Sequence, residues 1–332
     1  MTVLYVLAGL GVMVGIFLFA KTKQVDAGRT KALEELAEMS VRKLSPFGSV
    51  DSLSVLPLID FYADNPSLQT EPGVSYLVRA DGTTILLDMG MNAKKAHPSP
   101  LLQNMAELGV SEKEIDMIFL SHLHLDHVGG MKNQKNKTFS LSNGPVDMGA
   151  VPVYAPAHVT ASAFNPAPVT KVIREPVVLK PGIASIGVIP RFLFLMGYTP
   201  ENALAVNVKG KGIVLIIGCG HQTIERILDR ARELFDEPIH AIIGGLHFPV
   251  QGGRIMIGPI NIQRIVGSDK PPWRGLGKKD VADAIEAIRK VSPELIALSP
   301  HDSCDWSLQQ FREAFGDAYA ELKVGREIRI DA

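Results

Sequence analysis

The sequence has few of the features that mark disulfide-linked or nucleic-acid-binding proteins. Its 332 residues include two cysteines, Cys219 and Cys304, which excludes a framework of several disulfides. The formal net charge is -1, so the chain has no overall attraction for nucleic acid or anionic lipid. Lys132, Lys135 and Lys137 are interpreted as part of a solvated loop rather than as a basic stripe. We therefore expect no nucleic-acid partner.

The first twenty residues form one long apolar run. Residues 2–20 carry no charge, and as a helix they would extend about 28 Å, which is close to the hydrocarbon thickness of a bilayer. Residues 1–21 are therefore predicted to be a transmembrane anchor. The alternative, a cleaved signal peptide, lacks a basic n-region and a small-x-small cleavage site. Basic residues follow the run rather than precede it, so the positive-inside rule predicts a cytoplasmic catalytic domain.

A helical connector and an α/β domain are predicted after the anchor. Apolar side chains recur at helical spacing among charges, so residues 22–48 are predicted to be an amphipathic connector, with residues 49–332 as the catalytic domain. Strands are predicted over 74–78, 84–88, 115–120, 151–154, 203–208, 213–217, 239–243 and 294–298, and helices over 101–108, 222–235 and 278–291. This alternation indicates sheets covered by helices. The proline-rich residues 156–200 receive no assignment.

The segment His122–His127, here called the histidine run, contains three imidazoles and one carboxylate in six residues. On an extended segment, His122 and His124 leave the same face and can bind one ion. Asp126 and His127 diverge by roughly 100° at a first helical turn, which suits a second ion. Imidazole and carboxylate together favour zinc or a neighbouring first-row metal. A chance cluster of ordinary histidines is the alternative, but four such side chains at this spacing favour a metal site.

Three later segments share an aliphatic run, a break and then a histidine. They are Gly218-Cys219-Gly220-His221, Gly244-Gly245-Leu246-His247 and Ser299-Pro300-His301. Strand ends in a layered α/β domain collect on one edge, where ligands usually bind. His221, His247 and His301, here called the strand-end set, are therefore candidate site residues. The alternative for each is a histidine that caps a loop.

These motifs, taken in order, resemble those of the metallo-β-lactamase fold superfamily, whose signature is the His-x-His-x-Asp-His pattern of the histidine run. Asp88-Met89-Gly90 is similar to the family's Asp-x-Gly, whose Asp supports the metal loop. Within the superfamily, the greatest similarity is to the branch named after the dihydropterin ribofuranosylaminobenzene phosphate synthase. That branch carries Gly-Cys-Ser-His, Gly-Gly-x-His and His-Cys-Thr-Gly segments, which resemble the segments ending at His221 and His247 and the tail beginning at His301. The resemblance covers about residues 50 to 332.

The resemblance implies a metallo-β-lactamase-like αββα sandwich with two divalent metal ions, Zn²⁺ first and Mn²⁺ or Fe²⁺ as alternatives. The first ion is assigned to His122, His124 and His221, and the second to Asp126, His127 and His301. A metal-bound hydroxide would attack an ester or related bond of a phosphate- or pterin-like small molecule. Asp126 and His247 are the catalytic candidates, His247 as a substrate contact or proton donor. Asp88 would orient the site, and the expected function is that of a membrane-anchored dinuclear hydrolase.

The sequence departs from the branch at three places. The early Glu-His-Gly segment is replaced by Glu71-Pro72-Gly73, which lacks the histidine. Many relatives in the superfamily have a bridging Asp after the glycine at position 218, where this chain has Cys219, so a metal contact by Cys219 is left open. The tail reads Asp302-Ser303-Cys304 in place of Cys-Thr-Gly, which leaves contacts by Asp302 or Cys304 open as well.

Residues 249–277 look like an insertion, either a loop over the active edge or a plain surface loop. Two other functions remain as alternatives on the same fold. One is a di-iron redox protein, although relatives of that kind carry a carboxylate where this chain has His124. The other is a scaffold that binds metal without catalysis.

Overall fold

The computed structural model describes the backbone of residues 2–332 and the side chains of residues 5, 12–13, 15–271 and 273–332. The helices are α1 (Thr2–Glu38), α2 (Pro100–Glu107), α3 (Met131–Asn136), α4 (Ile224–Leu234), α5 (Ile262–Val266), α6 (Lys278–Arg289) and α7 (Asp305–Phe315). The first ten strands are β1 (Ser52–Ile59), β2 (Ser75–Ala80), β3 (Thr83–Leu87), β4 (Met117–Phe119), β5 (Thr138–Phe139), β6 (Pro152–Ala155), β7 (Thr160–Ala161), β8 (Val169–Val172), β9 (Val177–Lys180) and β10 (Ile183–Ser185). The remaining ten are β11 (Ile189–Leu193), β12 (Gly197–Glu201), β13 (Ala203–Val208), β14 (Gly212–Ile217), β15 (Ile239–Gly244), β16 (Met256–Ile257), β17 (Ile260–Asn261), β18 (Leu295–Leu298), β19 (Tyr319–Glu321) and β20 (Ile328–Asp331).

Two seven-stranded sheets pack face to face. The first has the order β20-β1-β2-β3-β4-β6-β8 and the second has the order β19-β18-β15-β14-β13-β10-β9. Their inner faces share one core that includes Val78 and Phe119 from the first sheet and Val206 and Ile216 from the second. Helix α2 covers the outer face of the first sheet, and α4, α6 and α7 cover that of the second. The predicted αββα sandwich is confirmed.

Parallel pairing brings the strand-end set to one edge. In the second sheet, β14 pairs with β15 in parallel, as Ile216 with Ile243, and β15 pairs with β18, as Ile243 with Ala297. In the first sheet, β3 and β4 are parallel, with Leu87 opposite Phe119. The carboxyl ends of all five strands therefore face the same side of the molecule, where each strand is followed by a polar segment.

The amino-terminal residues require a correction. Residues 2–38, which include most of the predicted anchor and the first part of the predicted connector, form one continuous helix, α1, in which Val25 and Ala32 are buried. Residues 39–48 of the predicted connector are not helical. Gly28 allows this helix to lie against the hairpin β11–β12, because a Cβ there would come within 2.2 Å of the Phe192 ring. Among the described residues, no helix is long and apolar enough to cross a membrane. The predicted transmembrane span is therefore not supported. The side chains of residues 2–4, 6–11 and 14, which belong to that predicted span, lie outside the described residues.

The unassigned residues 156–200 contain six short strands, β7 to β12. Strands of two to five residues are too short to give an alternating pattern that a sequence window can detect. Pro190 and Pro200 also stand directly opposite one another in the hairpin β11–β12, where proline argues against a central strand. This hairpin ends at Glu201, which contributes to the site described next.

Candidate metal centre

The histidine run follows strand β4 and turns into the short helix α3. His122 and His127 are completely buried, with ring centroids 4.1 Å apart. The ring of His124 is half-buried, and its centroid lies 4.5 Å from that of His122. The three imidazoles thus converge, as the spacing predicts.

Asp88 fixes the histidine run from the end of strand β3. Its Oδ1 accepts the Ser121 backbone N–H at 2.8 Å, and its Oδ2 accepts the Ser121 hydroxyl at 2.6 Å. Oδ2 also lies 2.7 Å from Nδ1 of His127, and the Ser121 oxygen lies 3.0 Å from Nδ1 of His122. Both imidazoles can therefore donate from Nδ1, which leaves each Nε2 as a free acceptor when the ring is neutral. Each of these Nε2 atoms is buried and has no hydrogen-bond partner among the described residues.

His301, which follows strand β18 of the second sheet, is also held through its Nδ1. Its Nδ1 lies 2.6 Å from the Ser299 hydroxyl, which donates to Oδ2 of Asp60 at 2.7 Å. The Tyr76 hydroxyl donates to the same carboxylate oxygen at 3.1 Å. Nε2 of His301 is buried and also lacks a hydrogen-bond partner in the described part of the chain. Ser299, backed by the buried carboxyl of Asp60, thus orients the His301 ring through Nδ1, as Asp88 orients the His127 ring.

His221 and His247 meet the insertion 249–277. Nδ1 of His221 donates to the Gly267 carbonyl at 3.1 Å, and its ring centroid lies 5.2 Å from that of His122. Nε2 of His247 lies 3.3 Å from the Gln263 carbonyl, and its Nδ1 lies 3.4 Å from Sγ of Cys219. Both ring nitrogens of His247 are therefore engaged.

The insertion covers the strand-end set closely. Gln263 also donates from Nε2 to the His301 carbonyl at 2.7 Å. Gly267 has no room for a side chain, because a Cβ there would lie 1.7 Å from Nε2 of His247. A cavity of about 110 Å³ remains between the insertion and the site, lined by His221, His247 and the ion pair of Arg191 and Asp269. Such a cavity is smaller than the usual small-molecule pocket.

Side-chain donor atoms form three groups in which all atoms lie within 4.8 Å of one another. The groups are His122, Cys219 and His221; His127, Cys219 and His301; and Cys219, His247 and Asp302. The structure thus brings His122 together with His221, and His127 with His301, as the two-ion assignment expects. His124 and Asp126 lie outside these groups. Nε2 of His124 lies 3.4 Å from the Thr199 hydroxyl, and Oδ2 of Asp126 lies 3.7 Å from Nε2 of His127.

Sequence reasoning missed several supporting residues. Glu201 is completely buried and accepts the backbone N–H groups of Cys219 at 3.1 Å and Gly220 at 2.8 Å. Nothing in the sequence singles it out, because it lies between the unassigned residues 156–200 and the predicted strand 203–208. Asp60 and Ser299 were detectable in principle, since each directly follows a buried strand at the edge that carries the site.

Most of the site histidines are neutral in the protein without metal. Burial, reinforced by the neighbouring histidines, holds the pKa of His122, His221 and His301 well below its usual range. Burial lowers the pKa of His124 to about 3 and that of His247 to about 4. Neutral imidazole is the form that binds metal.

His127 is the exception. Its burial acts to lower the pKa, but the charges of Asp88 and Asp126 outweigh burial and raise the pKa of His127 to about 9. Burial also raises the pKa of Glu201 to about 7. The negative charges of Asp88 and Asp126, which hold a second proton on the His127 ring, equally favour a metal cation at Nε2 of His127.

The donor set fits a divalent transition metal. A buried polar atom without a hydrogen-bond partner costs about 1 to 3 kcal/mol, and three imidazole Nε2 atoms share this condition within the described residues. Imidazole, thiol and carboxylate together favour zinc and its first-row neighbours over magnesium or calcium. Two metal ions, one at His122 and one at His127 and His301, would satisfy the three Nε2 atoms.

Comparison with known proteins agrees with this geometry. The model of the metallo-beta-lactamase superfamily matches residues 68–236. The 7,8-dihydropterin-6-methyl-4-(beta-D-ribofuranosyl)-aminobenzene-5'-phosphate synthase of Methanocaldococcus jannaschii is 26% identical over 325 residues, which cover 86% of this chain and 100% of that protein.

Solved structures share the fold. A metal-dependent hydrolase of the beta-lactamase superfamily superposes with a TM-score of 0.57 at 17% identity, over 84% of this chain and 100% of that chain. The metallo-beta-lactamase fold protein YhfI from Bacillus subtilis gives a TM-score of 0.50 at 14% identity, over 84% of this chain and 99% of that one. The family match covers half of the chain and includes the histidine run, so this chain belongs to the metallo-beta-lactamase superfamily.

Proposed function

We propose that the chain is a dinuclear metal-dependent hydrolase that acts on an ester or related bond of a small molecule. One observation carries the proposal: Nε2 of His122, His127 and His301 are buried and unpartnered among the described side chains, and each of these histidines shares a donor group with Sγ of Cys219. Zn²⁺ is the proposed metal, with Mn²⁺ and Fe²⁺ as alternatives.

The six ligands predicted from the sequence remain the proposed set. They are His122, His124 and His221 for one ion and Asp126, His127 and His301 for the other. When bound, the two ions would supply hydroxide near neutral pH and polarise the bond under attack. The donor groups around Cys219 support the pairing of His122 with His221 and of His127 with His301.

The residues behind the ligands set the direction of each imidazole. Ser121 holds Nδ1 of His122, Asp88 holds Nδ1 of His127, and Ser299 with Asp60 holds Nδ1 of His301. Because each Nδ1 is engaged, each Nε2 is left to face the site in a fixed tautomer. Such outer contacts are typically worth 10- to 100-fold in metal affinity or activity.

Two residues are proposed to move protons. Oδ2 of Asp126 faces Nε2 of His127, and the carboxyl is partly exposed, so it can accept a proton from the attacking water. His247 is the proposed donor to the leaving group. In the present conformation its Nε2 is occupied by the Gln263 carbonyl, so donation from Nε2 requires the insertion 249–277 to move away.

The substrate is proposed to be anionic. A cavity of about 380 Å³ is lined by Gly129 and Gly130, which directly follow the histidine run, and by Lys95, Lys132 and Asn133, while the proposed metal ligands lie outside its lining. Its size suits a small molecule, and the two lysines favour a phosphate or carboxylate group. The name of the M. jannaschii relative contains both a dihydropterin and a phosphate, which supports a phosphate-bearing, pterin-like substrate.

Group transfer is a second candidate function. The M. jannaschii relative, similar over its whole length, is a synthase by name. The same residues can activate a nucleophile on a second substrate in place of water. A product that contains both substrates would distinguish this reaction from hydrolysis.

A substrate panel tests the proposal. The full-length protein, loaded with zinc or manganese, is assayed against phosphomonoesters, phosphodiesters, lactones and thioesters, with His127→Ala as the inactive control. We expect turnover by the metal-loaded protein and none by His127→Ala. In Lys132→Gln, KM should rise for the phosphate substrates and stay unchanged for the lactones and thioesters. Undiminished turnover by fully metal-free protein would contradict the proposal.

A further inference from the structure

We propose that the thiolate of Cys219 bridges the two metal ions. This inference rests on the paired metal site of the proposed function and adds a ligand to it. Metal binding would replace the thiol proton, which leaves to solvent, by two metal–sulfur bonds.

The position of Sγ carries the inference. Sγ of Cys219 is common to all three donor groups found among the described residues, so it lies within 4.8 Å of donor atoms on His122 and His221 and also of those on His127 and His301. Zinc–sulfur bonds are about 2.3 Å long, and paired metals in hydrolases lie about 3.5 to 4 Å apart. One sulfur atom can therefore reach both ions.

The backbone around Cys219 is built for close approach. A Cβ on Gly218 would lie 2.1 Å from the Ser121 hydroxyl, and one on Gly245 would lie 2.9 Å from Cα of Cys219. Glu201 fixes this loop by accepting hydrogen bonds from the backbone N–H groups of Cys219 and Gly220. Larger residues at 218 or 245 would push the cysteine away from the histidine run.

The unpartnered nitrogens provide an independent observation. Nε2 of His122, His127 and His301 are buried, and none has a hydrogen-bond partner in the described part of the chain. Each of these histidines also has a ring nitrogen in a donor group with this sulfur. Two of these histidines come from one sheet and the third from the other. Cys219 lies where the donors from the two sheets meet.

Cys304 offers a matched control. It is as buried as Cys219, with 2% of its surface exposed in each case. However, its Sγ accepts the Gln251 N–H at 3.2 Å and lies 3.2 Å from the Ser307 hydroxyl, and it belongs to none of the three donor groups of the described residues. The two cysteines therefore differ in surroundings while sharing chemistry and burial.

X-ray absorption at the zinc edge tests the bridge. The full-length protein, loaded with zinc to saturation, is compared with Cys304→Ser and Cys219→Ser. We expect two bound zinc ions per chain and one sulfur neighbour per zinc, at about 2.3 Å, in the wild type and in Cys304→Ser. The sulfur shell should disappear in Cys219→Ser. A sulfur atom bound to one ion alone would give half a sulfur per zinc on average.

The outcomes separate this inference from the proposed function. Bound zinc with half a sulfur per ion, or with none, overturns the bridge and leaves the hydrolase proposal standing. A chain that binds no zinc overturns both. If Cys219→Ser fails to fold, the sulfur count in the wild type and Cys304→Ser still decides the question. A sulfur shell that persists unchanged in folded Cys219→Ser also overturns the bridge.

Discussion

The two halves of the site are built in different ways. The histidine run is one continuous segment, and Asp88 and Ser121 at neighbouring strand ends fix two of its imidazoles. The strand-end set comes from three parallel strands, and each member has its own partner: the Gly267 carbonyl, the Gln263 carbonyl or the Ser299 hydroxyl. One half is therefore organised locally, and the other depends on the fold and on an insertion.

This difference predicts different sensitivities. Mutations behind the histidine run should affect metal affinity directly, because Asp88 contacts His127 itself and reaches His122 through the Ser121 hydroxyl. Mutations in the insertion should disturb His221 and His247 while leaving the histidine run intact. The following variants test these expectations.

The largest effect is expected when a ligand is removed from either half. His127→Ala and His301→Ala should each reduce bound zinc from two equivalents to one, because their donor atoms share one group. Loss of one ion removes several kcal/mol of transition-state stabilisation, about 1000-fold in rate or more. Metal analysis and steady-state assays on the two variants measure this. If His301→Ala retained two zinc ions, the strand-end set would not complete the site.

The buried carboxyl of Glu201, which contacts the loop before His221, should make the stability of the metal-free protein depend on pH. Burial raises the pKa of Glu201 from 4.5 to about 7, so the native protein holds this proton where the unfolded chain does not. Its contribution to stability is fully present below pH 4.5 and is lost as the pH rises through 7, by about 3 kcal/mol. Urea unfolding of wild type and Glu201→Gln across this range tests the prediction. Equal pH dependence in both would contradict it.

The supports behind the two halves should differ in strength. Asp88→Asn removes a charge that faces His127 and Ser121, and we expect zinc affinity to fall by about 100-fold. Ser299→Ala removes one neutral contact to His301 and should cost about 10-fold. Zinc titrations in competition with a chelator give both values. The reverse order would mean that the strand-end side is the more tightly organised half.

The smallest effect is expected from the insertion. In Gly267→Ala, the new Cβ would overlap Nε2 of His247, so the insertion must shift and kcat/KM should fall by about 10-fold or less. Zinc bound by the histidine run should remain. Gly277→Ala is the control, because its Cβ would meet no atom closer than 4.0 Å. If Gly267→Ala and Gly277→Ala changed kcat/KM equally, the contact between the insertion and His247 would have no role in catalysis.

The histidine run could be predicted from the sequence because its chemistry lies within six adjacent residues. The strand-end set could be predicted because each histidine follows an aliphatic strand, and strands β13 and β14 agree with the predicted ranges to within one residue. The long periodic segments, α4 and α6, were also found to within two residues at each end.

Other features depend on distant contacts that no local pattern encodes. Glu201 ends a strand in a region of short, proline-interrupted hairpins, and it reaches the site only because β12 leads into β13 beside Cys219. The position of Cys219 at the meeting of three donor groups likewise follows from the packing of two sheets. The apolar run at residues 2–20 suggested an anchor by composition alone, whereas α1 continues as one helix whose Gly28 lies against the β11–β12 hairpin.

The central claim is that the histidine run and the strand-end set form one paired metal site. Native mass spectrometry of the full-length, metal-free protein during titration with zinc tests it most directly. We predict two successive additions of zinc, with no further specific binding. A chain that binds no zinc, or that saturates with a single ion, would contradict the claim.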